Sequence, residues 1–122
     1  MTITNDTIIK AAKAAGLDVR EDKRGSRMHL MSIGSNTGVF DPLNNDTDNA
    51  MIRRGAEIDV RWFLGSKDVD SIASDGKGQY FDRTDNYVSK GKAQAEREGV
   101  ILCAAAKWDA MNKGVKLSLI HI

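Results

Sequence analysis

Glu57-Ile58-Asp59-Val60-Arg61-Trp62-Phe63-Leu64 alternates without a break: Ile58, Val60, Trp62 and Leu64 share one face of an extended chain, and Glu57, Asp59 and Arg61 share the other. A strand of this kind buries one face and wets the other, so the fold needs an antiparallel sheet with apolar material laid across it. A cover is encoded downstream. The spacing predicts a long helix over 85–112, with Val100, Ile101, Ala104, Ala105, Trp108 and Met111 at i, i+3, i+4 intervals in its second half. Gly91 and Gly99 are costly inside a helix and mark a break or a close contact.

Upstream, Ile8, Ala12 and Ala15 fall at helical spacing with Ile9 and Ala11 alongside, after Thr4 and Asn5 as N-cap candidates and before Gly16 as a terminator. Charges clustered around Gly25 then separate 18–23 from 27–33, where Met28, Leu30 and, less regularly, Ile33 alternate; this reads as a hairpin. Gly34-Ser35-Asn36-Thr37-Gly38 is a run of turn formers and is expected to be a connecting loop. After Val39-Phe40 re-enters the core, Pro42 disfavours helix at Asp41 and fixes an extended approach. Leu43-Asn44-Asn45-Asp46 offers N-caps for a second short helix over about 46–54, with Ala50 and Met51 inward and Gly55 closing it after Arg53 and Arg54. Val69, Ile72 and Tyr80-Phe81 mark one or two weaker strands broken by Asp75-Gly76-Lys77-Gly78, and no internal repeat or low-complexity segment is evident. The expected fold is α+β: a small antiparallel sheet of three to five strands packed by helices, in the order α-β-β-α-β-β-α, as one domain over 1–116.

Composition excludes several classes. No apolar run approaches the roughly 20 residues that span a bilayer, so no membrane partner is expected. The N-terminal residues have no basic stretch ahead of an apolar one, which argues against a secretion signal. A single Cys cannot form an internal disulfide framework, and a reducing cytoplasm is the expected compartment. Eighteen Lys and Arg against 17 Asp and Glu give a net charge of +1, too little for a strong general attraction to nucleic acid, although a local patch is compatible with it.

Leu117-Ser118-Leu119-Ile120-His121-Ile122 is an uncharged, apolar hexapeptide on an otherwise charge-laced chain. On its alternation alone it would form a short terminal strand. It also resembles the peptide encoded by one reading frame of the transposase recognition end used in preparing sequencing libraries. That resemblance implies adapter read-through in an environmental assembly, with the natural chain read only through about Lys116. A contiguous, unamplified long read of the locus is expected to diverge from these six codons; an open reading frame that encodes them and then stops would refute the assignment.

Phe40-Asp41-Pro42-Leu43-Asn44-Asn45-Asp46-Thr47-Asp48 resembles a pattern of small tailed-phage proteins, near the NinX-type and ABA-sandwich phage domains. In that pattern an aromatic residue precedes Asn-Pro-Leu, a polar pair and Asp-Gly-Asp, and a short helix leads directly into a strand. Here Asp41 stands for the Asn and Thr47 for the Gly. Arg97-Glu98-Gly99-Val100-Ile101-Leu102-Cys103-Ala104-Ala105-Ala106 is similar to the Arg-x-Ala-Ile-x-x-Ala-Ala-Ala ending of such proteins. The resemblance implies an accessory product of a phage or prophage, at work in the cytoplasm of a bacterial host, and brings no catalytic residues with it. Physically the motif reads as structural: Phe40 anchors a loop, Pro42 stiffens it, Leu43 acts as a hydrophobic staple, and Asp46 and Asp48 cap the helix.

Three carboxylates, Asp41, Asp46 and Asp48, offer hard oxygen ligands, but a calcium loop's glycine and trailing Glu are missing, so capping is the favoured role and no cofactor is expected. His29 falls opposite Met28 and Leu30, and Cys103 lies in an alanine-rich helix as an inert thiol; a Cys–His dyad is not predicted. The Gly34–Gly38 run lacks the Lys-Ser/Thr of a phosphate-binding loop. Lys23, Arg24 and Arg27 at the hairpin tip, with Arg53 and Arg54 at the helix end, are the best nucleic-acid contacts, offset by Glu21, Asp22, Glu57 and Asp59. Trp62 and Phe63 point to opposite faces, so an exposed Phe63 would contact a partner, and a homodimer through a sheet edge is an equally ordinary use of that strand. The favoured function is a noncatalytic protein that binds a host or phage macromolecule, with nucleic-acid binding as the alternative.

Overall fold

The computed structural model describes residues 3–21, 27–32, 35–62, 67–74, 80–86, 88 and 91–120. Thr4 opens helix α1 (Asn5–Ala14) with a reciprocal capping box to Thr7, and β1 (Asp18–Glu21), β2 (Met28–Ser32) and β3 (Ser35–Val39) follow. Then come helix α2 (Asp46–Gly55), β4 (Asp59–Trp62), β5 (Asp68–Ser74), β6 (Tyr80–Asn86) and the long helix α3 (Lys92–Ile120). The class is α+β with antiparallel pairing, as expected. The strands divide between two three-stranded sheets, β1-β2-β3 and β4-β5-β6.

Three segments differ from the sequence reading. Residues 35–39 are a strand, not a connecting loop: the β2 ladder supplies their backbone partners, and a register shift between Leu30 and Met31, with Gly38 at φ 132°, lets small polar residues follow that edge. Tyr80–Asn86 pairs along the whole of β5, so the final helix starts seven residues later than predicted, just after Gly91 at φ 84°. That glycine is the break, and Gly99 the close contact. Finally, α3 runs on through Ile120, so 117–120 is helical and not a strand.

The two sheets are also copies of one plan. From the first helix through the first hairpin, corresponding features stand 41 residues apart, as Asp18 does from Asp59. N-caps Thr4 and Asn45 open ten-residue helices, which end on Ala15 (φ −87°, ψ −1°) and Ala56 (φ −88°, ψ −2°). The next residue is left-handed in both, Gly16 at φ 75° and Glu57 at φ 57°, which is why β4 begins only at Asp59. The first hairpins share one register: Val19 faces Leu30 as Val60 faces Ser71, and Glu21 faces Met28 as Trp62 faces Val69. Even the ion pairs repeat, Arg20 to Asp18 at 3.0 Å and Arg61 to Asp59 at 3.1 Å. The chain therefore contains an α-β-β-β unit twice, correcting the absence of repeats inferred from sequence. Its only clear sequence trace is Ala15-Gly16-Leu17-Asp18-Val19-Arg20 against Ala56-Glu57-Ile58-Asp59-Val60-Arg61.

One core joins the units. Ile8, Ala11 and Ala12 of α1, Ile52 of α2, and Val100, Ile101, Cys103, Ala104 and Ala105 of α3 are buried together with Phe40, Ala56 and Ile58. Gly55 lets the helix ends meet, since a Cβ there would lie 2.8 Å from that of Ala15. Lys10 reaches Asp109 of α3 at 3.1 Å, and the hydrogen bond and charge of Asp109 raise its pKa. Three expected core positions are not core, Val39 among them at 52% exposed. Met111 is 46% exposed, and Trp62, 41% exposed, has the ammonium of Lys92 6.0 Å from its ring where α3 begins.

Where α3 crosses β5, Gly99 sits against Ser71, whose hydroxyl is fully buried and has no hydrogen-bond partner. A Cβ on Gly99 would fall 2.7 Å from Ser71 Oγ but 3.6 Å from its Cβ. Gly99→Ala is therefore expected to destabilise the fold by about 1–3 kcal/mol through overpacking. In a Ser71→Ala background the same change should stabilise, by up to about 1 kcal/mol of helix propensity. Urea unfolding of the four proteins measures the coupling, and additive effects would show that the contact does not limit the approach of α3.

Candidate functional site

The phage-like motif forms a loop between the two units. Phe40 is 1% exposed and its N–H donates to the Met28 carbonyl at 2.8 Å, while Pro42 is fully buried. Asp41 N–H donates to Asp48 Oδ2 at 2.9 Å, the Asp41 carbonyl accepts from Asn45 N–H at 2.9 Å, and its carboxylate accepts from the Asn44 amide at 3.0 Å. The cap of α2 is Asn45, whose side chain accepts from Asp48 N–H at 3.1 Å. The aspartates therefore do not cap the helix as predicted: Asp48 closes the loop and Asp46 serves α3. Nor does Leu43 staple the helix. It stands two residues before the cap, one short of the staple position, and lies partly buried against the core.

Two residues that sequence reasoning did not single out hold this loop. Asn49, on the buried face of α2 where Ala50 and Met51 were expected, donates to the carbonyls of Pro42 at 3.1 Å and Arg97 at 3.0 Å. Arg97, its side chain only 17% exposed, donates from Nε to the Leu43 carbonyl at 2.8 Å, from Nη1 to Asp46 at 2.8 Å and from Nη2 to Gln94 at 3.0 Å. A polar residue three before the buried Ile52, and an arginine at the head of an apolar stripe, were the available signals.

A cleft opens on each side of the loop. One, of about 340 Å³, lies between α2 and α3 and is lined by Asp46, Asn49, Arg53, Glu96 and Arg97. Its charges satisfy one another, with Arg53 on Glu96 at 3.1 Å and Arg97 on Asp46. The other, of about 260 Å³, is lined by Ile8 of α1, Met28 of β2, and Phe40 and Leu43 of the motif. Val39, 52% exposed, Arg27 and Asp41 line it as well. Arg27 is exposed, and no residue among those described pairs with it.

The remaining candidates are dispersed. Arg54 is exposed on α2, whereas Lys23, Arg24 and Phe63 lie outside the described residues. His29 stands in register with Arg20 and Val39, on the β2 face opposite Met28, and is partly buried. Cys103 is buried in α3. Among the described residues no three His, Cys, Asp or Glu side chains are grouped to hold a metal ion, and the carboxylates of Asp41, Asp46 and Asp48 are engaged as above. No helix among them is long and apolar enough to cross a membrane. The chain matches no known protein family, no curated protein and no solved structure.

Proposed function

We propose that the chain is a noncatalytic accessory protein of a phage or prophage, acting in the cytoplasm of a bacterial host by binding another protein at the cleft over Met28 and Phe40. The observation that carries this reading is the exposed guanidinium of Arg27, unpaired among the described residues, beside an apolar surface that includes the half-exposed Val39. Exposed apolar surface rimmed by charge is the ordinary composition of a protein-binding site. The motif resemblance supports the phage assignment, and three motif residues line the cleft. Nucleic-acid binding is less well supported, because Arg53, one of its five proposed contacts, is held by Glu96. A catalytic reading lacks a convergent set: the loop carboxylates are engaged, Cys103 is in the core and His29 lies on the far face of β2.

Photocrosslinking tests the reading. A benzophenone amino acid at Val39 should give a discrete, nuclease-resistant protein adduct in bacterial host cells, and the same probe at the exposed Ala106 of α3 should not. Equal labelling from both positions would refute a specific site, and an adduct abolished by nuclease would make the partner a nucleic acid.

A further inference from the structure

We infer that the cleft over Met28 takes the free C-terminal residue of a partner polypeptide, with its apolar side chain inside and its α-carboxylate on Arg27. This deepens the protein-binding reading and rests on it. A volume of about 260 Å³ lies below the usual range of small-molecule pockets, and suits one residue better than a helix face. Its chemistry has three parts. Ile8, Met28, Phe40 and Leu43 provide an apolar lining. Among the described residues Arg27 is the single cation at the cleft and has no partner, and a guanidinium binds a carboxylate through two parallel hydrogen bonds. Asp41, the single acid there, has spare acceptor capacity beyond its bonds from Asn44 and suits the backbone N–H of the bound residue.

One cation and one carboxylate fit a monoanion that also presents an N–H, and they disfavour a phosphate, whose second charge would face Asp41. An internal Asp or Glu carries a carboxylate without an apolar group beside it. A terminal Leu, Val or Phe carries both from one Cα. The repeated unit sharpens the case. Met28 corresponds to Val69; both side chains are buried, at 6% and 1% exposed, but Val69 lies on the sheet that α3 crosses whereas Met28 forms the floor of a cleft.

Fluorescence anisotropy with the full chain and a labelled Gly-Gly-Ser-Gly-Leu peptide tests this. The free acid should bind saturably, and its C-terminal amide about tenfold or more weakly. Arg27→Gln should produce a loss of similar size for the free acid only, Val39→Asp should weaken both peptides, and Arg61→Gln on the other sheet should change neither. Equal binding of acid and amide, or no binding of either at millimolar concentration, would overturn the inference. If the peptide fails while the position-39 crosslink persists, the terminal-residue inference falls alone; if both fail, the protein-binding reading falls with it.

Discussion

The side-chain amide of Asn49 is the contact on which the arrangement turns. Its two N–H groups satisfy the Pro42 carbonyl in the motif loop and the Arg97 carbonyl in α3, so one buried residue ties together segments far apart in the chain. Without Asn49 the Arg97 carbonyl keeps its place in the α3 ladder, but the Pro42 carbonyl would lose this donor, at a cost of about 1–3 kcal/mol. Only an amide supplies two donors from that position in a neutral group. Arg97 performs the complementary task from α3, donating to the Leu43 carbonyl. Between them they fix the loop, and with it the walls of both clefts.

The repeat explains why this contact is needed once and not twice. At the position equivalent to Asn49 the first unit has Ile8, which is simply part of the core. α3 packs against α1 of the first unit but against both the helix and the sheet of the second. The second unit's changes serve that purpose: Asn49 in place of an apolar residue, and Ser71 where the first unit has Leu30, a smaller side chain under Gly99. Two units built on the same helix caps and the same first-hairpin register thus acquire unlike faces. The first keeps a cleft whose Arg27 has no partner among the described residues, whereas the sheet of the second is covered by a helix and the charges of its cleft pair with one another. Asymmetry laid on a repeated frame gives the molecule one candidate docking site instead of two.

Local chemistry was legible in the sequence. Thr4 and the Asn44-Asn45 pair announced the helix starts, the Gly25 cluster divided a real hairpin, and the i, i+3, i+4 stripe of Val100 to Ala105 identified the face of α3 that is buried. What could not be read depends on partners distant in sequence. Ser35 to Gly38 are turn formers by composition and become a strand only because β2 offers a ladder. In β6 only Tyr80-Phe81 carries an apolar signal, and its polar remainder becomes strand only because β5 offers a ladder. Trp62 looked like core because alternation reports which face a residue occupies, not how far the covering helix extends. The repeat was hidden because the helices diverge wherever they meet different neighbours, leaving a match around Asp-Val-Arg too short to stand out. The bonds of the motif could not be assigned from sequence: a carboxylate three residues into a helix can reach back to the cap or, as Asp48 does, past it to Asp41.

Urea unfolding of Asn49→Asp beside Asn49→Ala at neutral and acidic pH addresses the central claim, that two amide donors of Asn49 hold the loop to α3. A carboxylate at this site would face two carbonyls, raising its folded-state pKa above the unfolded value of about 3.9. Its protonated form, able to donate once, would be favoured in the folded state, so stability should be retained below the unfolded pKa and lost as pH rises through the folded one. The account predicts that Asn49→Asp is several kcal/mol less stable than wild type at pH 7, less stable than Asn49→Ala, and partly recovered in acid relative to Asn49→Ala. An Asn49→Asp protein within about 0.5 kcal/mol of wild type at pH 7 would contradict it.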